Sequence, residues 1–68
     1  MEAFKQRLVV ELTDLEAKQK GLKGFLRTEA FNKLGSEDRI LLELQHDTMC
    51  TYIKILKKRM TLLGIDYS

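Results

Sequence analysis

The chain of 68 residues contains no proline, no tryptophan, one cysteine and one histidine, and each shortage closes a route. A single cysteine forms no internal disulfide, and Cys50 with His46 falls well short of the roughly four ligands of a structural zinc. Covalent and metal staples are excluded. With no proline and no Pro/Ser-rich, repeated or low-complexity stretch, nothing marks a linker, and residues 1–68 read as a single domain. The longest apolar runs, Leu8-Val9-Val10 and Ile40-Leu41-Leu42, are far below the roughly 20 residues needed to cross a bilayer. The opening Met1-Glu2-Ala3-Phe4-Lys5-Gln6-Arg7 is too charged for a secretory signal. The expected setting is the cytoplasm, where a free thiol is ordinary.

Charge of one sign is also scarce. Twelve Lys and Arg face ten Asp and Glu, and a net charge of +2 is too small for the basic patch that DNA or RNA binding requires. What the chain has instead is apolar surface, at 44% of residues. A domain near this size buries only about 60% of its unfolded surface, so self-association or a partner is expected to support it.

Leu8, Leu12, Leu15, Leu22 and Leu26, with polar Gln19 at the skipped position, keep alternating four and three spacing, the seam of an amphipathic helix. Phe4 extends the seam backward and Phe25 widens it, which predicts a first helix over about residues 2–27. Gly21 and Gly24 each cost about 1 kcal/mol against alanine there, marking a weak point or a close contact. Thr28 to Leu34 reads as a short turn of helix, capped by Thr28 and ended by Gly35, with Phe31 and Leu34 plugging the tip. Ser36 is the expected N-cap of a second helix over about residues 37–63, with Glu37 and Asp38 in its first turn and Gly64 closing it.

Each long helix of about 26 residues spans roughly 39 Å, so the pair is expected to fold back as an antiparallel helical hairpin. The second helix is apolar on more than one face, because Ile40, Leu44, Met49, Ile53, Ile55 and Leu62 cannot all point at the first. The fold class is therefore all-α: a helical hairpin with a short helical turn at its tip, assembling as a homo-oligomer.

For catalysis the only pair to weigh is His46 and Cys50, four apart on one helical face, which could join a thiol to its base. Catalytic constellations draw on several elements, and Cys50 reads better as a small buried residue with His46 on a solvated or subunit-facing side. No enzyme, metal site or cofactor is expected. Binding is better supported. Folding back places residues whose numbers sum to about 64 opposite one another, which brings Lys5 and Arg7 toward Lys57, Lys58 and Arg59. Glu11 and Asp14 lie near this cationic end as partial neutralisers, with Phe4 and Tyr52 as aromatic surface. Guanidinium for phosphate and a flat ring for a base are what a nucleotide wants, although the same cations suit a helix dipole and Tyr52 suits simple packing. A second group, Lys18, Lys20, Lys23 and Arg27, reads as a solvated face.

Arg7, Glu11, Leu15, Lys18, Leu22 and Phe25, then Phe31 and Leu34, then Leu41-Leu42, Gln45, Met49, Tyr52, Leu56 and Arg59 together resemble a family of very small phage and prophage hairpin proteins. These resemble the helical-hairpin nucleotide sponges of the anti-CBASS and anti-Thoeris type. The resemblance implies a non-enzymatic immune-evasion protein in an infected or lysogenic bacterial host. It would assemble with itself, as a hexamer, and sequester a cyclic di- or trinucleotide between protomers without cleaving it. By position in the resemblance, Phe4 would stack on a base and Lys18 would meet phosphate. The ligand-binding set is then Phe4, Arg7, Glu11, Lys18, Tyr52, Lys58 and Arg59. The competing reading is a protein-interaction module that docks the excess apolar surface of the second helix on a host or phage protein. Polymeric nucleic acid is disfavoured by the low net charge and interspersed acids.

Overall fold

The computed structural model describes residues 2–66, apart from the side chain of Glu2. Three helices follow in order: α1 over Glu2–Phe25, α2 over Glu29–Asn32 and α3 over Ser36–Leu62. The described residues are all-helical, and no helix is long and apolar enough to cross a membrane.

One side chain closes α1 and opens α2. The Thr28 hydroxyl donates to the Phe25 carbonyl at 2.7 Å and accepts from the Phe31 amide at 3.2 Å, the expected N-cap in extended backbone. α1 stops two residues before the expected Arg27, because the amides of Arg27 and Thr28 bond three residues back and tighten the last turn. Phe31 is buried as predicted, and its ring meets Phe25 edge to face at 6.1 Å and 84°.

At the start of α3 the expectation fails by one residue. Ser36 lies inside the helix, and Gly35 holds the capping place with no side chain to offer. Glu37 and Asp38 remain in the first turn, where their charge faces the positive end of the helix dipole. The far end is as expected. Gly64 takes φ of 71°, the Ile65 amide bonds the Met60 carbonyl at 2.9 Å, and the Gly64 amide bonds the Thr61 carbonyl at 3.1 Å. That is a Schellman ending, completed by Ile65 packing on the core.

The core is small. Leu8 and Leu12 of α1 pack with Ile53, Leu56 and Met60 of α3, and Val9, Leu15 and Ile65 cover them. Further along, Glu11 meets Tyr52 and Gln19 meets His46, so contacts move back along α3 as the chain moves forward along α1. The body measures 46 × 17 × 14 Å, a rod two helices wide. Ile53 lies in this core and Met49 is half-buried, whereas Ile40, Leu44, Ile55 and Leu62 are exposed, so these six apolar residues do not all face α1. At Gly21 and Gly24 an added Cβ would meet nothing within 4 Å, so within one chain they are weak points and not close contacts.

Candidate functional site

The site is built from the spacing of side chains on each helix and one hydrogen bond between helices. At about 100° per residue, Phe4, Arg7, Glu11 and Lys18 fall within about 60° of arc on one flank of α1. On α3, Tyr52 and Arg59 are seven residues apart, two turns along one line, since seven residues nearly complete two turns. The Tyr52 hydroxyl donates to Glu11 Oε1 and joins these two flanks into one face.

The groups on this face are open to solvent. Tyr52 is 40% exposed, and Phe4, Arg7, Glu11, Lys18 and Arg59 are all exposed. The Glu11 hydrogen bond raises the Tyr52 phenol above its ordinary value, desolvation and the Glu11 charge add to the rise, and the Arg59 charge opposes it. The phenol therefore stays protonated at neutral pH, with its hydroxyl held by Glu11 and the residue partly open to solvent. Gln45, seven residues before Tyr52 and exposed, lies on the same line. In the sequence Gln45 reads as a polar break in an apolar seam and, more rarely, as a group that reads base edges; its spacing from Tyr52 is the signal that places it on this face.

Two expected members are not brought to this face. Lys58 is about 120° round α3 from Tyr52, on the outward side. Lys57, expected in the cationic end, reaches Glu16 at 3.5 Å instead. Glu16 follows Glu11 by five residues and Lys57 follows Tyr52 by five, about 140° of rotation on each helix, so this pair lies on the opposite flank. The cationic end is thus divided, with Arg7 and Arg59 on the Tyr52 side and Lys57 on the other. Both partners of the Lys57–Glu16 pair are solvent-exposed enough that it adds little to stability.

Deeper in the helix pair, Gln19 Nε2 lies 2.8 Å from His46 Nε2, and Cys50 Sγ lies 4.0 Å from either ring nitrogen. The seam-breaking Gln19 thus has a partner on α3, which pins the rotational setting of the two helices. Sequence reasoning placed His46 on a solvated or subunit-facing side and missed this contact. No group of three His, Cys, Asp or Glu among the described residues could hold a metal ion, and these residues enclose no cavity. The face is a shallow surface, suited to laying a flat, charged molecule against an aromatic ring and two guanidinium groups.

No curated protein and no solved structure matches this chain. The family model Sequestin matches residues 2–62, which span all three helices and every residue of the face, and the chain belongs to the Sequestin family.

Proposed function

We propose that this protein is a non-enzymatic sponge: a helical hairpin that assembles with copies of itself and sequesters a cyclic di- or trinucleotide immune messenger without cleaving it. The family's name points to sequestration. The observation that carries the reading to a nucleotide is the Tyr52–Glu11 hydrogen bond, with Arg59 two turns along α3 and Arg7 one turn along α1. In this reading the Tyr52 ring stacks on a base, and Arg7 and Arg59 take phosphate oxygens through their paired N–H donors. Glu11 accepts from a base amino group or ribose hydroxyl. Phe4 and Lys18 extend the same face toward its two ends. None of these groups is assigned as base or nucleophile, so the ligand is held intact, and its free concentration falls as the protein accumulates. The biological setting is a phage or prophage protein acting against cyclic-nucleotide immunity in the bacterial cytoplasm, with a hexamer as the assembled form.

The test is native mass spectrometry of the purified protein with and without a panel of cyclic di- and trinucleotides. A fixed number of unmodified nucleotides per assembly is the expected result. An assembly that ignores the whole panel, or that releases linearised product, overturns it.

A further inference from the structure

The outward side of α3 carries a second stripe that the core does not use. Leu41, Leu44, Thr48, Thr51, Ile55 and Leu62 follow one another at three and four residues, with Lys58 at the one position between Ile55 and Leu62. That is a seam of heptad type, about 150° round the helix from the side that packs on α1. Its apolar members are among the most exposed in the molecule: Leu41 62%, Leu44 55%, Ile55 50% and Leu62 74%. The two threonines interrupt it less than their type suggests. Thr48 Oγ1 donates to the Leu44 carbonyl at 2.9 Å and Thr51 Oγ1 to the Asp47 carbonyl at 3.1 Å, so neither hydroxyl proton needs a partner from outside.

We propose that this stripe pairs with the same stripe of a second copy running in the opposite direction, with Thr48 against Thr51 of the partner subunit. This deepens the proposed function, resting on its self-assembly but not on its ligand. Charge sets the direction. Glu37 and Asp38 lie in the first turn of α3 and Lys58 and Arg59 near its end, so opposed helices put each acidic end beside a basic end and align their dipoles favourably. Parallel helices would put Lys58 and Arg59 against their own copies. The register follows from using the whole stripe. With Thr48 against Thr51, Leu44 meets Ile55, Leu41 lies along the Lys58 stem, and Leu62 faces the Glu37 turn. A shift of one heptad leaves part of the stripe hanging past the end. The pairing has two-fold symmetry and closes on itself, as homodimer interfaces do.

The surface area agrees. A folded monomer of this mass exposes about 4,400 Å² by the usual size scaling. This chain exposes 5292 Å². The excess of roughly 900 Å² is close to the ~800 Å² that each partner contributes to a standard interface. The stripe also borders the flank that holds Tyr52 and Arg59, so a second copy would raise a wall along the shallow ligand face.

The experiment uses Glu37→Cys and Leu62→Cys variants of the full chain, each in a Cys50→Ser background. The two are mixed, unfolded and refolded together, then oxidised. The mixture is expected to form a disulfide-linked heterodimer while neither variant alone does, because like positions lie about 37 Å apart in opposed helices. Cross-linking by each variant alone would mean parallel helices and overturn the proposal, as would no cross-link anywhere. Independently, Ile55→Glu is expected to reduce the native mass of the hexamer by half or more, toward the 7.9 kDa of the single chain, with helical circular dichroism retained. A wild type already at that mass, or an Ile55→Glu assembly of unchanged size, overturns the pairing, as does a foreign polypeptide captured by the wild type and lost from Ile55→Glu. Nucleotide uptake is read in the same spectra, so an opposed pair that takes no nucleotide sinks the sponge and keeps the interface, and a monomer that binds nucleotide does the reverse.

Discussion

The Tyr52 hydroxyl donates to Glu11 Oε1 across 41 positions of sequence, and that contact fixes which flanks of α1 and α3 form one face. It also fixes a pH dependence. The phenol is raised in the folded state, chiefly by the Glu11 hydrogen bond, so its neutral form is the one the fold favours. Its contribution is complete below the unfolded tyrosine value of about 10 and is lost as pH rises through the higher folded value. Ultraviolet titration, with Tyr52→Phe to separate Tyr52 from Tyr67, should show the Tyr52 midpoint above the ordinary one. Glu11→Ala should bring it down. A midpoint unmoved by Glu11→Ala would mean the contact is not made in solution.

The core makes a sharper demand. Leu56 has no exposed surface and sits between Leu8, Leu12 and Met60 in a cluster of five buried residues. Leu56→Ala should cost about 2–5 kcal/mol, a large share of what so small a domain can hold. Urea unfolding should show the midpoint fall, or show no folded baseline. Loss of less than about 1 kcal/mol would place the real core elsewhere.

Thr28 serves two helix ends with one hydroxyl, so Thr28→Ala should cost about 1 kcal/mol, at the ordinary value for a lost cap. Thr28→Ser keeps both bonds and should recover most of it. Thermal unfolding followed by circular dichroism distinguishes the two, and equal loss in both variants would remove the hydroxyl from the explanation.

Gly21 and Gly24 read in the sequence as a weak point or a close contact, and the structure leaves open space where each Cβ would be. Gly21→Ala should therefore stabilise by about 1 kcal/mol, or about 4–8 °C in Tm for a domain of this size. A fall in Tm at protein concentrations where the chain assembles, with a rise on dilution, would show that another copy approaches α1 closely at that turn.

The first helix was more legible than the second for a physical reason. Around α1 the leucines Leu8, Leu12 and Leu15 lie on one side only, so the seam sets its own phase. α3 has apolar residues on two sides, and periodicity cannot say whether Leu44 or Met49 faces inward; only contact with Leu8 and Leu12 decides it. Thr48 and Thr51 interrupt the outer stripe by residue type, and only the structure shows their hydroxyls bonded back to their own helix. The candidate site was half legible for the same reason. Spacing alone gathered cations at one end, but their division between two flanks depends on the rotation of each helix, which separates Lys57 with Glu16 from Arg59 with Tyr52.

That division makes Arg59 the residue whose loss tests the ligand reading most directly. It is exposed and its charge is felt at the Tyr52 hydroxyl. Removing it should leave the Leu56–Met60 packing alone, since those neighbours face the core. In the sponge reading Arg59→Ala loses a charge-assisted, bidentate phosphate contact, worth about 1.5–3 kcal/mol, which lowers nucleotide affinity about 10-fold to 150-fold. Arg59→Lys keeps the charge but not the fork and should fall between the two. Lys57→Ala, on the opposite flank, should bind as the wild type does. Isothermal titration of the four proteins against one cyclic nucleotide, with native mass as the control for assembly, would separate the flanks. Equal losses for Arg59→Ala and Lys57→Ala would mean that charge in general, and not this face, attracts the ligand.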